Sequence, residues 1–369
     1  MSNKYENLIK LYYKKQNIED EYIKRIENPA TFITNLKINP IKRGNKILDK
    51  EYNLFYVNLM EHTLLQEIII KNSNQINLIS NELPQIAIKD IIIKILSNEL
   101  YKTNKMEGIE SVKNEIYSSL KEDKKNNKKS NKLDGKYFRK DTVKVINGLG
   151  NTIHIGINGE ESIEKGMEDL IQFMNRKDIP FIVKVSISHF FFEYIHPFYD
   201  GNGRFGRYLL SPYLARKLDI LTAFSVSYSI SKNLDDYYKS FVEVEDVNNY
   251  GEITFFVENI LETIKKGQEM IIELLNDSII KFNHSFEILK ELTKDLSEKE
   301  NIMLEIYLQN YLFDDFCEIT NIELTEIIND GTQQTINKYT GELEKKGYLV
   351  KVKQRPLIYT LSEKITDKL

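Results

Sequence analysis

The sequence predicts a mainly α-helical protein with one β-hairpin inside its helical part and a smaller, separate module at its C-terminal end. Three observations lead there. Apolar residues recur at helical spacing through most of the chain before Leu296, as in Phe181–Ile195. Within that part, residues Asp141–Gly156 alternate in apolar side chains. From Leu296 onward, short helical and alternating segments crowd together. A chain of 369 residues is long enough to bury a large core and to hold two or three domains.

Taken in order, residues 1–85 read as an N-terminal helical region. In it, Tyr52–Lys71 places Leu54, Val57, Leu64, Leu65 and Ile68 at helical spacing. Ile86–Leu120 reads as two helices. Lys121–Lys132 is poor in apolar residues and reads as an exposed loop, with a polybasic patch for nucleic acid or lipid as the alternative. Val143, Val145, Ile153 and Ile155 alternate around Gly148 and Gly150, giving the hairpin, on which His154 is expected to face solvent. Glu161–Asn175, Phe181–Ile195, Arg204–Leu218, Asn233–Val244 and Gly251–Lys265 follow as helices, and Gln268–Lys294 as a helical connector.

In the last module, Glu298–Asn310, Glu323–Ile328 and Thr332–Lys346 read as helices, with Gly331 as the turn before the third. Gly347–Val352 and Leu357–Leu361 alternate as two strands around Arg355-Pro356. This is a winged helix-turn-helix pattern. Its third helix offers Gln333, Gln334, Thr335, Asn337 and Lys338, and its wing Lys351, Lys353 and Arg355, types able to read base edges or phosphates. Glu342 and Glu344 on the same helix oppose DNA, so protein contact or a homodimer stands beside it.

Composition narrows the function classes. A net charge of −4 and a pI near 5.9 leave no global field to recruit nucleic acid. The single cysteine, Cys317, excludes an intrachain disulfide and fits a reducing cytosol. Met1–Asp20 is charged and tyrosine-rich, unlike a secretory signal. The longest apolar runs, such as Ile91–Ile95, fall far below the roughly 20 residues a membrane helix needs. The expectation is a cytoplasmic protein with no membrane partner.

Chemistry concentrates in residues 196–207, His-Pro-Phe-Tyr-Asp-Gly-Asn-Gly-Arg-Phe-Gly-Arg, at the junction of two helices. A Gly-Asn-Gly turn lets backbone N–H groups converge on an anion, and the N-terminus of the following helix adds its dipole. Arg204 and Arg207 share a helix face and can reach one polyphosphate. Asp200 is the loop's lone carboxylate, suited to Mg²⁺, and His196 suits a general base because an imidazole titrates near neutrality.

This run resembles the Fic motif, His-x-Phe-x-Asp/Glu-Gly-Asn-Gly-Arg-x-x-Arg, at every fixed position. The resemblance implies a Fic-fold helical core over residues 86–265, followed by a connector (266–295) and a winged helix domain (296–369). The implied activity is transfer of AMP from ATP to a Ser, Thr or Tyr hydroxyl of a target protein or of the chain itself. It further implies His196 as the base, Asp200 as the Mg²⁺ ligand and Phe198 as the anchor under the loop. Gly201, Asn202, Gly203 and Arg204 are implied on the α- and β-phosphates, and Arg207 on the γ-phosphate.

Upstream, Thr103-Asn104-Lys105-Met106-Glu107-Gly108 resembles the family's inhibitory pattern Ser/Thr-x-x-x-Glu-Gly/Asn, on a helix within residues 86–120. The resemblance implies that Glu107 pairs with Arg207 and so keeps it from the γ-phosphate. In some relatives this glutamate also positions water to remove AMP, so de-AMPylation or a bifunctional enzyme stays open. A DNA-binding regulator that uses the core as a nucleotide sensor is the alternative from another class. The hairpin at 141–156 corresponds to a flap that pairs with the target's backbone. Tyr237 and Tyr238 are adenine-binding candidates or plain core. Glu245 stands where relatives often carry an asparagine.

Overall fold

The computed structural model describes residues 5–121, 135–314, 317–328 and 332–369. Most of the 121–132 loop and the Gly331 turn lie outside the described residues. The chain divides into two compact units, residues 1–74 with 96–271, and residues 75–95 with 272–369.

In chain order, α1 (Leu8–Tyr13) and α2 (Ile18–Ile26) precede β1 (Thr31–Ile38), β2 (Ile41–Lys42), β3 (Asn45–Lys46) and β4 (Tyr52–Val57). Next come α3 (Met60–Ser80), α4 (Gln85–Met106), α5 (Lys113–Lys121), β5 (Lys144–Ile146) and β6 (Thr152–Ile155). The helices α6 (Glu160–Met174), α7 (Phe181–Ile195), α8 (Asn202–Lys217), α9 (Ile220–Phe224), α10 (Val226–Lys232), α11 (Leu234–Glu245) and α12 (Thr254–Leu292) follow. The last elements are α13 (Glu298–Phe313), β7 (Ile319–Thr320), α14 (Asn321–Ile328), α15 (Gln333–Lys345), β8 (Leu349–Lys353), β9 (Ile358–Leu361) and α16 (Glu363–Thr366).

The core of the first unit forms around α7. Its apolar residues run all round the helix, and Ile182, Val183, Val185, Ile187, Phe190 and Phe192 are all buried, as a central helix requires. Leu210 and Leu214 of α8 and Ile260 and Leu261 of α12 pack into the same cluster. Truncating one such side chain to alanine typically costs about 2–5 kcal/mol.

Two expectations from the sequence change here. Residues 1–85 are not helical throughout, because Tyr52–Val57 is a strand that pairs antiparallel with β1. Both faces of β4 are buried: Leu54 and Tyr56 enter the main core, whereas Phe55 and Val57 enter a second cluster with Leu8 and Leu11. A strand buried on both faces shows no polar alternation, so its apolar run merges with the periodicity of α3. The closing helix and the connector are one helix, α12. Gly267 sits inside it because a Cβ there would lie 2.4 Å from Ser225 Oγ, so the residue serves close packing rather than a break.

In the second unit α13 begins with a capping box, Ser297 with Glu300. Strands β7, β9 and β8 form one antiparallel sheet in that order, one strand more than the expected pair. Leu304, Leu324, Ile336, Leu343, Leu349 and Leu361 close its core. Asn337 is held by Asn321, whose side-chain amide donates to it at 2.7 Å, and Lys351 pairs with Glu344 at 3.0 Å. Gln333, Gln334, Lys338, Lys353 and Arg355 remain exposed.

Candidate active site

Residues 196–201 join α7 to α8, whose first turns carry the rest of the 196–207 run. His196 ends α7 in the left-handed conformation, φ 53° and ψ 58°, and its N–H donates to Phe192 O. Histidine is among the side chains that tolerate this region, and Pro197 bars the helix from continuing. Gly201, at φ 85°, starts α8 without a side-chain cap. The first-turn N–H groups at Asn202, Gly203 and Arg204 therefore have no intrahelical partner and face an anion seat.

Asn202 is only 2% exposed. Its amide spans the loop, accepting from Phe198 N at 2.8 Å and donating to Phe198 O at 2.7 Å. Its side chain is thus a clamp, and only its backbone N–H is free for the phosphate role expected of it. Phe198 packs against Phe138 and Phe205 with ring centroids 6.0 and 5.7 Å apart, which fixes the loop from beneath.

Arg139 was not signalled by the sequence, being one cation in a charged stretch. It is fully buried, donating from Nε to His196 O at 2.7 Å and from Nη2 to Ile195 O at 3.2 Å, with Nη1 on Asp141 O. A guanidinium can satisfy several carbonyls at once, so this side chain ties the 139–141 segment to the loop. Gly156 is needed where they meet, since a Cβ there would lie 2.4 Å from Arg139 Nη2 and 3.0 Å from His196 Cβ.

The structure brings together His196, Asp200, Gly201, Asn202, Gly203 and Arg204 along one loop and helix start. His196 is partly enclosed. Burial, then the neighbouring His154 and Arg139, push its imidazole down to about 3, so it is neutral at physiological pH. Its Nδ1 lies 3.3 Å from Glu193 O; with Nδ1–H assigned to that carbonyl, Nε2 keeps its lone pair. Asp200 is exposed and meets Arg204 Nη2 at 3.3 Å.

Arg207 is 2% exposed and held through Nε and Nη2. Its Nε donates to Thr103 Oγ1 at 3.0 Å, and its Nη2 to Thr103 O at 3.3 Å and to Glu107 Oε1 at 2.6 Å. The same carboxylate oxygen would lie 2.3 Å from a Cβ built on Gly203, so Glu107 rests over the first turn of α8. Glu107 follows the last residue of α4. Ile109 N bonds Asn104 O and Gly108 N bonds Lys105 O, with Gly108 at φ 70°, which is a Schellman end. The Gly/Asn of the motif is then the left-handed residue that turns the chain away. Along α4, Glu99, Thr103 and Glu107 fall on one stripe, and Glu99 accepts from Ser227 N at 2.9 Å and Tyr228 N at 3.1 Å.

Residues 97–214 match the sequence model of the Fic/DOC family. Over these residues the chain is similar to Fic/DOC proteins, a family that generally transfers AMP or other nucleotide-derived groups to proteins. A similar solved structure is the crystal structure of a Fic family protein from Desulfovibrio desulfuricans G20. It is 16% identical to this chain with a TM-score of 0.47, the match covering 83% of this chain and 97% of that one.

The other residues singled out in the sequence divide between core and surface. Tyr237 is 2% exposed, with its hydroxyl 2.8 Å from His189 Nε2 and its ring packed among core aromatics, so it offers no face to a base. Tyr238, 38% exposed, does offer one. His154 does not face solvent; it is buried, and its Nδ1 lies 2.7 Å from Glu245 Oε1. Among the described residues no helix is long and apolar enough to cross a membrane. No group of three His, Cys, Asp or Glu side chains suited to a metal occurs among them either. An Mg²⁺ that shares a nucleotide's phosphates needs only one or two carboxylates, and exposed Asp200 fits that smaller role.

Proposed function

We propose that this protein is an adenylyltransferase that moves AMP from ATP to a Ser, Thr or Tyr hydroxyl of a protein, and that Glu107 restrains it. The observation that carries the reading is the seat of the Glu107 carboxylate, on Arg207 and above Gly203, where an anionic phosphate is expected. An arginine bonded to the chain's own carboxylate is not available to the γ-phosphate.

In the transfer step, Nε2 of neutral His196 accepts the proton of the acceptor hydroxyl. That oxygen bonds to the α-phosphorus as the bond to the β-bridging oxygen breaks, and pyrophosphate leaves. The first-turn N–H groups of α8 and Arg204 are set to stabilise charge on the phosphates. Asp200, with the phosphates, would hold Mg²⁺, which when bound neutralises phosphate charge. Beside the flap, β5 pairs only with β6 among the described strands, which leaves an edge for a target strand. The order α13, β7, α14, α15, β8, β9 supports a winged helix reading of the C-terminal part.

The test is incubation of the pure protein and its Glu107→Gly variant with ATP labelled at the α-phosphate, Mg²⁺ and a cell lysate. Mass spectrometry of labelled bands should find AMP on a hydroxyl side chain. Label arriving only from the γ-phosphate, or none from either with the variant, overturns the reading.

A further inference from the structure

His154 takes no part in the steps above, yet it stands beside the residue that does the chemistry. It lies on β6 of the flap, and its ring centroid is 5.6 Å from that of His196, with the planes at 47°. Glu245, from the end of α11, meets its Nδ1 at 2.7 Å across 91 residues of sequence. A proton on Nδ1 bonds the carboxylate, while Nε2 and Glu245 Oε2 are both buried without a hydrogen-bond partner.

A buried imidazole and carboxylate are costly to enclose unless their neighbours hold them in place. Here the edge of the Tyr194 ring packs on His154 at 5.8 Å. Lys46, on β3, donates to Ile155 O at 2.8 Å and lies 4.4 Å above the Tyr194 ring. Burial pulls the Lys46 ammonium down to about 8 against the attraction of Glu245. The groups facing His154 are therefore Glu245, Tyr194 and His196, with Lys46 beyond on Tyr194 and Ile155 O, and those facing His196 are His154, Arg139 and the Glu193 carbonyl.

We propose that His154, fastened by Glu245, is a positioning residue for His196: it fixes the orientation of that ring and, when protonated, sets a like charge beside it. The direction agrees with the forces on His196, where His154 is the strongest influence after burial and Arg139 acts the same way. Glu245 stands where the resemblance expects an asparagine near the adenine, and it is turned to the flap instead. Because His154 rides on the flap, lifting β6 would take the charge away from His196. Readiness of the base is thereby tied to flap closure.

The catalytic meaning of this inference rests on the adenylyl-transfer reading, but its first test does not. Nuclear magnetic resonance titration of the histidine rings in the full-length protein follows His196 directly. In His154→Gln its midpoint should rise by about 0.5 to 2 pH units, the span one charge at 5.6 Å gives between water-like and protein-like screening. Should that variant not fold, His154→Phe combined with Glu245→Gln keeps the ring contacts, leaves no unpaired buried carboxylate, and should show a smaller rise of the same sign. An unmoved His196 midpoint in a folded variant overturns the proposal. In the Glu107→Gly background, His154→Gln should also lower kcat while leaving KM for ATP unchanged, and should move the acid limb of the rate profile upward. Label transfer with an unaltered profile refutes the positioning role alone. Absence of any transfer in that background refutes the adenylyl-transfer reading and leaves the titration to decide this one.

Discussion

Replacing Glu107 with Gly should raise label transfer by roughly 10- to 150-fold. The carboxylate gives Arg207 one charge-assisted hydrogen bond of 2.6 Å, in a site where the guanidinium is 2% exposed and the Glu107 side chain 24%. Such a bond contributes about 1.5–3 kcal/mol, and that difference in free energy sets the fold-change. The Thr103 contacts to Arg207 persist, so the arginine is released from its anion without losing its place. Glu107→Gln keeps a hydrogen bond to the guanidinium while losing the ion pair, and should give a smaller rise. Adding Arg207→Ala to Glu107→Gly should cancel the gain, because the freed guanidinium is what productive ATP binding needs. The assay is incorporation of label from the α-phosphate at fixed Mg²⁺, with thermal melting to confirm folding. A rate in folded Glu107→Gly equal to or below wild type refutes the autoinhibition argument. Slower loss of AMP from a premodified protein in the same variant would assign Glu107 to positioning water for removal.

His196→Ala should reduce transfer by about 100-fold or more with ATP affinity retained, since the base acts on the hydroxyl and not on the phosphates; transfer within a few fold of wild type removes His196 from the step. Glu193, half-buried against Gly206 of α8 with its Oε1 enclosed and unpartnered, is pushed up to about 8 by desolvation, against the pull of Arg207. The folded protein then keeps a proton between pH 4.5 and 8 that the unfolded chain has released, so this group's stabilising contribution is lost as pH rises across that window. Glu193→Gln removes that slope, and its melting temperature should gain on wild type between pH 5 and pH 8, on the order of a few kcal/mol of stability; parallel curves would refute the assignment. In the C-terminal part, Lys353→Glu with Arg355→Glu should abolish DNA retardation that weakens steeply with salt. No salt-sensitive retardation by the intact chain on any sequence tested favours protein contact or dimerisation instead.

What the sequence made legible was chemistry carried by neighbouring residues. The 196–207 loop could be read because its imidazole, carboxylate, turn and guanidiniums are contiguous, and the αL residue Gly108 marks its helix end by type alone. Helix α6 was legible from its apolar period, and α7 and α8 from apolar-rich stretches of helical length. Strand β4 was not, because burial of both faces erases the alternation that would reveal it. Residues 237 and 238 are identical in type, and only packing distinguishes the enclosed ring from the exposed one. Arg139 and the His154–Glu245 pair were invisible for a third reason. Their partners lie 57 and 91 residues away, and nothing in the local pattern links them.

The Schellman end of α4 bears on how the restraint is released. Three backbone hydrogen bonds, from Glu107 N, Gly108 N and Ile109 N, close the turn that carries the Glu107 carboxylate. Helix termini fray at far lower free energy than whole domains unfold. Glu99 and Thr103 can therefore stay docked while only the last turn opens, and a turn costing about 2 kcal/mol to open is open a few percent of the time. On the autoinhibition reading, the resting enzyme would then leak at a rate set by that fraying. A small bias on one turn, from heat, a bound partner or a neighbouring substitution, would tune its output without any domain having to move.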